Sequence, residues 1–450
     1  MSRRDCAAIL RSLSLLACAA LVACSNAPVA GPKPASVPGP DSFKGELGDG
    51  AAWVAEVPGN WNGTLLLYSH GYNRELQPPS SAPDTVRQAL LDDGYALAAS
   101  AYPTAEWAVA EAIPSQLLVL DAFAGRYRPP MRVIAWGSSM GGMVTSALAE
   151  RHADRIDGAL TMCASSMGAL PMMNMAFDGA FALTTLIPAD PPVSVLGEGN
   201  NFAGARRQVA AVEAAREDAA GRARVALAAV LGGIPGWTRP GTPRPASGDY
   251  AAQEEQMAAM IQWGIFLPRG DQEHRAGGIF SWNNGIDYAE LLAHTGRAGL
   301  VQALYGEAGL DLAQDLATLE AAPRVAGDRD AVEYMRQNFT PTGKVGVPVL
   351  SLHTIGDGMT SPSLQQSYVD KVRKAAGPDM VRSLWIERAG HCTQTGAEMR
   401  KAIDILEQRI STGTWPADLL FFADDNSDVA FIDYTAPPVP RARLANTTGQ

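Results

Sequence analysis

The sequence predicts an α/β fold in which a mainly parallel sheet is flanked by helices and interrupted by a mostly helical insertion. Over residues 60–165, apolar strands alternate with amphipathic helices, a rhythm that indicates βαβ units. The same alternation resumes at residues 346–410. Because strands of the same type lie on both sides of residues 166–345, we interpret that stretch as an insertion into one domain.

The first part of the predicted core, residues 43–165, begins with two apolar stretches around a GNWNG turn, which predict two strands. The helix predicted at 106–126 has its apolar residues at helical spacing on one face, namely Ile113, Leu117, Leu120 and Phe123. The predicted elements are, in order, AAWVAEVP, TLLLYSHG, a helix from Pro83 to Asp92, GYALAASAY, the helix at 106–126, MRVIAWGSS, a helix from Met140 to His152, and DGALTMCASS.

The insertion at residues 166–345 contains an Ala-rich, charged helical stretch at 205–232, a Pro-rich loop and further helical segments. The second part of the core, residues 346–410, has the predicted elements VGVPVLSLHT, a helix at 361–376, VRSLWIE and a helix at 395–410. Residues 411–450 form a C-terminal extension that is partly apolar and then becomes loop-like.

The N-terminus predicts an export signal. Arginines at positions 3, 4 and 11 precede a short apolar stretch that ends at Ala23, which is typical of a cleaved signal peptide at residues 1–23. The segment Leu21-Val22-Ala23-Cys24 resembles a bacterial lipobox, which implies lipidation of Cys24; the alternative is an ordinary signal with an incidental cysteine. Residues 24–42 are rich in Pro and Ala and predict a tether. We therefore expect a periplasmic or cell-surface lipoprotein of a bacterium, held to the membrane by Cys24.

Composition narrows the classes of function. Hydrophobic residues make up 47% and charged residues 18% of the chain, which indicates a globular protein. The net charge of −11, without a basic stripe, argues against nucleic-acid binding. The sequence has no H-E-x-x-H motif and no spaced Cys/His cluster, so it implies no metal. It implies no cofactor either, and it leaves the oligomeric state unknown.

The stretch Gly137-Ser138-Ser139-Met140-Gly141 fits the pattern G-x-S-x-G between a predicted strand and a predicted helix. At such a corner, small neighbours tolerate a strained backbone while the central hydroxyl projects from the sheet. The unpaired N–H groups at the start of the helix favour negative charge at the same place. The alternative is a tight turn of small residues without chemistry.

With this corner, the sequence resembles the α/β-hydrolase superfamily over residues 43–165 and 346–410. The resemblance implies that Ser139 is the nucleophile, that Asp357 in LSLHTIGDGMTSP is the acid, and that His391 in RAGHCTQTG is the base. The order Ser, Asp, His matches the family. The chemistry requires the same types, because a serine hydroxyl needs a base to take its proton and a carboxylate to orient that base.

Other residues compete for each role. Ser138 adjoins Ser139 but is not at the centre of the motif, and Asp370 and Asp379 do not follow a strand directly. His353 ends the strand before Asp357, where we expect packing or hydrogen bonding. The histidines for which we expect structural or solvent-exposed positions are His70, His152, His274 and His294.

The strand ending in His70-Gly71 resembles the oxyanion loop of the same superfamily. The resemblance implies that the backbone N–H of Tyr72 joins the N–H of Met140 in binding the developing oxyanion. The ring of Tyr72 either floors the acyl pocket or covers the core.

Cys163 and Cys392 remain after the leader and Cys24 are set aside, and both follow predicted strands at the same sheet edge. A disulfide between them would hold the loop of His391; the alternative is two buried free thiols. The arrangement resembles the tannase and feruloyl-esterase branch, but there the partner cysteine adjoins the serine, and that position here is Ser138.

The resemblance implies that the insertion at residues 166–345 lies over the crevice as a lid. Its large aromatic residues are candidates for a substrate wall or for the core of the lid, namely Trp237, Trp263, Phe266, Phe280 and Trp282. We therefore expect an exported serine hydrolase that cleaves a small-molecule or polymeric carboxylic ester through an acyl-enzyme. The alternatives are a serine peptidase of the same fold, left open by Glu254, Glu255 and Glu273 in the insertion, and a catalytically inactive binding lipoprotein.

Overall fold

The computed structural model describes residues 40–417, 419, 429 and 431–441. The predicted signal peptide at 1–23, the lipidation site Cys24 and most of the predicted tether at 24–42 lie outside these residues and stay predictions.

The described residues form one nine-stranded sheet with the strand order β1-β2-β4-β3-β5-β6-β7-β8-β9. The strands are β1 (Asp41–Glu46), β2 (Ala52–Val57), β3 (Thr64–Ser69), β4 (Ala96–Ser100), β5 (Arg132–Ser138), β6 (Gly158–Met162), β7 (Val349–Gly356), β8 (Val381–Ala389) and β9 (Phe431–Ile432). The six central strands of this order, β4, β3, β5, β6, β7 and β8, run parallel. Strands β1, β2 and β9 pair antiparallel at the two sides. The mainly parallel sheet confirms the predicted fold class.

Helices follow the strands in the order that the apolar periodicity predicts. They are α1 (Asp84–Asp92), α2 (Val109–Arg126), α3 (Met140–Arg151), α4 (Ala169–Leu186), α5 (Phe202–Ala215), α6 (Ala219–Leu231), α7 (Tyr250–Ala258), α8 (Gly270–Ala276), α9 (Tyr288–His294), α10 (Ala298–Glu307), α11 (Leu312–Ala321), α12 (Arg329–Gln337), α13 (Pro362–Ala376) and α14 (Gly396–Thr412). Within the described part of the chain, no helix is both long and apolar enough to cross a bilayer.

Helices cover both faces of the central strands. Because successive side chains of a strand point to opposite sides, both sets of side chains are buried. In β3, Leu65 and Leu67 join the core formed with α2, α3 and α13. Leu66 and Tyr68 join the core on the other face, which α1 and α14 complete. Every residue of β3 is buried, which explains its continuous apolar run in the sequence.

The stretch between β6 and β7, which the structure describes completely, contains α4 to α12 and a π-helical turn at Ile261–Ile265. We call residues 166–345 the helical insertion. The single helical stretch predicted at 205–232 is divided into α5 and α6, because the Asp218 side chain accepts a hydrogen bond from the Gly221 N–H and caps a new helix. Helix α6 is buried along its second half, from Val225 to Leu231, and is the centre of the insertion's own core.

Two strands lie in segments for which the sequence analysis predicts no strand. Strand β1 begins at Asp41, inside the predicted tether, and its alternately half-buried and exposed residues contain few apolar side chains that could reveal it. Strand β9 lies in the predicted extension, where Phe431 and Ile432 pair with Ile386 and Trp385 of β8. Both strands are specified by a partner elsewhere in the chain rather than by a pattern of their own.

The C-terminal segment also contacts the helical insertion through a buried ion pair. The Arg441 guanidinium donates to both carboxylate oxygens of Asp178, each at 2.6 Å, and to the Trp282 carbonyl at 2.7 Å. Asp178 is fully buried, and burial raises the pKa of its carboxyl, against the attraction of Arg441. The C-terminal segment is therefore held to the helical insertion by the Arg441–Asp178 ion pair, because the buried Asp178 charge is unfavourable without Arg441.

We expect Arg441→Met to lower the free energy of unfolding by about 3–5 kcal/mol, because Asp178 is left as an uncompensated buried charge. Urea denaturation measures the loss. The double variant Asp178→Asn/Arg441→Met, which removes both charges, is expected to recover much of it. If Arg441→Met unfolds at the same urea concentration as the wild type, the ion pair does not stabilise the fold.

Candidate active site

The serine of the G-x-S-x-G motif lies on a strained corner between β5 and α3. Ser139 has φ 56° and ψ −122°, in the region that side-chain-bearing residues rarely adopt. Its N–H donates to the Met162 carbonyl of the neighbouring strand at 2.9 Å, so the conformation is fixed by the sheet. The side chain projects from the carboxyl edge, as a nucleophile elbow does.

Two glycines of the motif are required by close backbone packing. A Cβ atom at Gly141 would lie 2.0 Å from the Ser69 carbonyl oxygen, and one at Gly137 would lie 2.4 Å from the Gly141 carbonyl oxygen. Any larger residue would push the corner away from the end of β3. The small residues therefore serve to bring Ser139 against the adjacent loop, where Gly71 also lies close to the Ser139 side chain.

Asp357 follows β7 directly and is completely buried. Its Oδ1 atom accepts hydrogen bonds from the N–H groups of Met359 and Thr360, both at 2.9 Å. Its Oδ2 atom lies 2.8 Å from the Thr360 hydroxyl and 2.8 Å from Nδ1 of His391. Four donors therefore surround one carboxylate, which is the condition for burying a charge.

The pKa of Asp357 lies below the ordinary value for an aspartate. Burial raises the pKa, but attraction to His391 and the hydrogen bonds from His391 and Thr360 outweigh it. The carboxylate is therefore ionised near neutral pH. Its contribution to folding stability is present above the ordinary carboxyl pKa and is lost as the pH falls through the lowered value.

His391 lies two residues after the end of β8 and joins Asp357 to Ser139. Its Nδ1 is 2.8 Å from Asp357 Oδ2 and its Nε2 is 2.9 Å from Ser139 Oγ. Because an ionised carboxylate only accepts, Nδ1 carries the proton and Nε2 is left as the acceptor for the serine hydroxyl. The loop is positioned by Gly390, whose N–H donates to the Gly356 carbonyl at 2.9 Å and whose carbonyl accepts from Thr354.

The structure thus brings together Ser139, Asp357 and His391, which the sequence places far apart. The competing residues lie elsewhere. Asp370 is on α13 beside Arg373, and Asp379 is exposed beside Arg382. The histidines of the helical insertion are on α8 and α9.

Two neighbours of Asp357 complete its surroundings. The Thr360 hydroxyl lies 2.9 Å from the Cys163 carbonyl as well as near Asp357, a role that the sequence analysis missed. The sequence contains a sign of this contact, because a threonine three residues after an aspartate is a spacing typical of turns in which a side chain bonds to the backbone. His353 is fully buried, its Nε2 lies 2.7 Å from the Thr360 carbonyl, and burial lowers its pKa, so a neutral imidazole supports the turn.

The loop after β3 carries the residues predicted to form an oxyanion site. The His70 ring stacks on Tyr102, with centroids 4.0 Å apart, and its Nδ1 is 2.7 Å from the Gly71 carbonyl. Tyr72 and Met140 both line the cleft beside Ser139, and Met140 is the first residue of α3, where N–H groups have no intrahelical partner. Burial, followed by the nearby Glu106, raises the pKa of the Tyr72 hydroxyl to about 12.

Cys163 and Cys392 form a disulfide that joins the end of β6 to the residue after His391. Both cysteines have positive φ angles, 42° and 52°, so the bond holds two strained loops side by side. Among the described His, Cys, Asp and Glu side chains, these cysteines and His391 are the group close enough to share a metal ion. The disulfide already engages both sulfur atoms, and the bond therefore serves to hold the loop of His391.

A cleft of about 670 Å³ opens above Ser139. The helical insertion supplies its roof from α4, α5, the π-helical turn and the segment around α8, and most of its walls are apolar. The lining residues are Tyr72, Arg74, Trp107, Ser139, Met140, Ser165, Met172, Met173, Phe202, Trp263, Leu267, Pro268, Gln272, Met359 and Thr360. The Ser139 side chain thus lies at the base of an apolar groove, the usual form of a small-molecule site.

Of the aromatic residues predicted as candidates for the wall, Trp263 lines this cleft. Phe266 lines an adjacent cavity of about 380 Å³. Phe280 and Trp282 are buried in the core, and Trp237 packs near Ile355 and Trp385. Trp107 and Phe202 also line the cleft but were not among the predicted candidates, because pocket and core aromatics have the same appearance in a sequence.

A doubly wound sheet, a strained serine corner and a hydrogen-bonded imidazole at the carboxyl edge define an α/β-hydrolase. The chain is 33% identical over 411 residues to o-phthalyl amidase from Xanthobacter agilis, covering 83% of this chain and 88% of that protein. It therefore belongs to the same family of α/β-hydrolases as that amidase. No family model matches the chain.

Solved structures of other hydrolases also resemble it. Feruloyl esterase B from Aspergillus oryzae has a TM-score of 0.41 and 13% identity, over 83% of this chain and 81% of that chain. The Pyrococcus horikoshii acylaminoacyl peptidase has a TM-score of 0.37 and 10% identity, over 78% of this chain. The present chain spans 37% of the length of that peptidase.

We expect reduction of the disulfide to lower activity more than it unfolds the protein, because the bond fixes the loop of His391 directly. Dithiothreitol should reduce kcat in the wild-type protein and lower its stability by about 2–4 kcal/mol. The control is the double variant Cys163→Ser/Cys392→Ser, whose lower activity should not respond to dithiothreitol. Thiol titration first has to show that both cysteines are free. If kcat is then unchanged, the disulfide does not have this role.

Proposed function

We propose that this protein is a serine hydrolase that cleaves a carboxylic acyl bond, with Ser139 as nucleophile, His391 as base and Asp357 as the residue that orients the base. The observation that supports this most directly is the continuous hydrogen-bonded chain from Asp357 through His391 to Ser139. It lies at the base of an apolar cleft, where a substrate carbonyl can approach the serine oxygen.

The first half of the reaction follows from this geometry. Nε2 of His391 takes the proton of the Ser139 hydroxyl as Oγ bonds to the carbonyl carbon, and the carbonyl π electrons move to its oxygen. Backbone N–H groups of Tyr72 and Met140 bind that oxyanion; one such donor contributes roughly 10²–10³ in rate. The bond to the leaving group then breaks, and the imidazolium returns the proton to the leaving oxygen or nitrogen.

The second half releases the acid. A water molecule gives one proton to Nε2 of His391 while its oxygen bonds to the acyl carbon, and the tetrahedral intermediate expels Ser139, which recovers that proton. Asp357 stays ionised throughout and stabilises the imidazolium that forms in each half. Its lowered pKa suits this role.

We propose an aromatic carboxylic acid as the acyl group. The cleft walls contain Trp107, Phe202 and Trp263 together with methionines, which favour a flat apolar group over a polar chain. The family relative is named for o-phthalyl amides, an aromatic acyl class. That name favours an amide bond, and the same triad also cleaves the ester expected from the sequence.

A peptidase that binds a free N-terminal amine needs a carboxylate in its cleft, and the described residues that line the cleft include none. The glutamates that left this alternative open are engaged elsewhere. Glu254 pairs with Arg216, Glu255 pairs with Arg239, and Glu273 accepts from the Gly197 N–H. This arrangement favours an acyl hydrolase over an aminopeptidase.

We expect Ser139→Ala and His391→Ala each to reduce kcat by about 10⁴-fold or more, and Asp357→Asn to cost about 10⁴-fold, because the three act as a unit. The matched controls Ser138→Ala, His274→Ala and Asp370→Asn should retain near-wild-type activity. A fluorophosphonate probe should label wild type but not Ser139→Ala. A labelled Ser139→Ala variant, or loss of activity in Asp370→Asn instead, would overturn the assignment.

Substrate class is tested with one acyl group on two leaving groups. We expect turnover of both phenyl benzoate and benzanilide, with a burst of phenol from the ester, because a common acyl-enzyme then limits the rate. Stopped-flow absorbance measures the burst. Aminoacyl anilides with a free amine serve as the comparison, and their cleavage in preference to benzanilide would favour a peptidase.

A further inference from the structure

The cleft has two walls, which lie on opposite sides of Ser139. Strand β5, which leads into Ser139, has β3 on one side and β6, then β7, on the other. The loop after β3 and the turn after β7 therefore flank the serine corner at the carboxyl edge of the sheet. The first contributes Tyr72 and Arg74 to the cleft, and the second contributes Met359 and Thr360. We call the two sides the β3 wall and the β7 wall.

Trp107 and Phe202 belong to the β3 wall. The N–H of Glu106, the residue before Trp107, donates to the Asn73 carbonyl at 2.7 Å. The Phe202 ring centroid lies 4.6 Å from the guanidinium carbon of Arg74. Both rings are therefore attached to the loop that carries the proposed oxyanion donor.

Trp263 belongs to the β7 wall, because the π-helical turn at Ile261–Ile265 packs against the turn of Asp357. A Cβ atom at Gly264 would lie 2.4 Å from the carbonyl oxygen of Gly358, the residue after Asp357. The backbones of the helical insertion and of the acid turn are thus in contact next to Trp263. A π-helical turn is rare and is frequently found at a functional site.

The indole of Trp263 is firmly anchored and yet left uncovered. Ile261 and Ile265, at the two ends of the same turn, are completely buried, whereas Trp263 is 47% exposed. The large apolar side chains that are exposed among the described residues are Leu76, Met131 and Trp263, and of these Trp263 lines the cleft. A ligand that covers this ring removes its apolar surface from water, which favours binding.

The proposed reaction sets the direction of the leaving group. The oxyanion faces the N–H groups of Tyr72 and Met140, and the leaving atom faces Nε2 of His391, which returns the proton to it. His391 follows β8, the strand that pairs with β7. The leaving group therefore extends away from the β3 wall and along the β7 wall.

We propose that Trp263 and Met359 bind the leaving group and that they select an aromatic alcohol or amine. The indole offers a flat face for stacking, and the thioether of Met359 makes favourable contacts with the edge of a ring. This inference rests on the proposed function and adds the chemical class of the leaving group to it. Trp263 is a specificity-determining residue and takes no part in proton transfer.

The same site receives the nucleophile in the second half of the reaction, because that half reverses the geometry of the first. An aromatic alcohol bound beside Trp263 gives its hydroxyl proton to Nε2 of His391 while its oxygen bonds to the acyl carbon. The tetrahedral intermediate expels Ser139, which recovers the proton, and an ester is released in place of the acid. We therefore expect acyl transfer to aromatic alcohols in competition with hydrolysis.

Esters with one acyl group and different alcohols test the proposal. Benzyl and methyl benzoate have leaving groups of similar basicity, so their intrinsic reactivity is matched. Trp263→Ala should lower kcat/KM for the benzyl ester about 10- to 50-fold and for the methyl ester less than about threefold. Trp263→Phe should recover most of the loss, because a smaller ring still stacks. An equal loss with cyclohexylmethyl benzoate would overturn the aromatic preference.

Two variants serve as matched controls. Met131→Ala removes an exposed apolar side chain outside the cleft and should behave as wild type with both esters. Phe202→Ala removes a ring of the β3 wall and should change both esters by the same factor, because they share the acyl group. If Trp263→Ala also lowers both esters equally, the inference is wrong, since Trp263 then contacts the acyl group or holds the shape of the cleft.

Acyl transfer separates this inference from the proposed function. With phenyl benzoate as donor, the wild-type acyl-enzyme should react with benzyl alcohol at least about tenfold faster per mole than with methanol. Trp263→Ala should remove this preference and leave hydrolysis of the acyl-enzyme within about threefold; liquid chromatography of the products measures both.

The two possible failures give different results. If the fluorophosphonate probe labels Ser139 but the wild-type protein does not prefer benzyl alcohol, the proposed function stands and the inference about Trp263 is wrong. If the probe does not label Ser139 and phenyl benzoate gives no burst, the proposed function fails and the inference fails with it.

Discussion

The buried charge of Asp357 is the constraint around which the candidate active site is arranged. A carboxylate removed from water needs donors on every free lone pair. Two of the donors are backbone N–H groups of its own turn, one is the Thr360 hydroxyl, and the last is the imidazole of His391. The position of the imidazole is therefore fixed by the compensation of a charge, and its remaining nitrogen is directed at Ser139.

The sheet makes this arrangement possible with short loops. Strands β5, β6, β7 and β8 are consecutive neighbours and run parallel, so their carboxyl ends lie along one edge. The serine corner, the disulfide, the acid turn and the histidine loop follow these four strands in turn. The sheet therefore positions the groups that we propose to react, whereas the helical insertion supplies most of the apolar walls around them.

The core of the fold and the three side chains that meet at the sheet edge could be predicted because each has a local signal. The spacing of apolar residues differs between strands and helices, which reveals the core elements. The serine corner has a fixed pattern of small residues, and Asp357 and His391 each follow an apolar strand. Strands β1 and β9 had no such signal, since they are short and depend on distant partners. The same reason explains Thr360, whose position beside Asp357 arises from neighbours that only the folded chain brings close.

The pairing of β9 with β8 has a consequence for how copies of this chain behave toward one another. An unpaired outer strand exposes a row of N–H and C=O groups on which another chain can add a strand. Phe431 and Ile432 cover that row next to Trp385 and Ile386, and at the opposite side β1 presents alternating exposed polar residues. Phe431 and Ile432 thus shield the apolar part of β8 around Trp385 and Ile386, and loss of this short strand would expose that part of the edge without removing any side chain of the candidate active site.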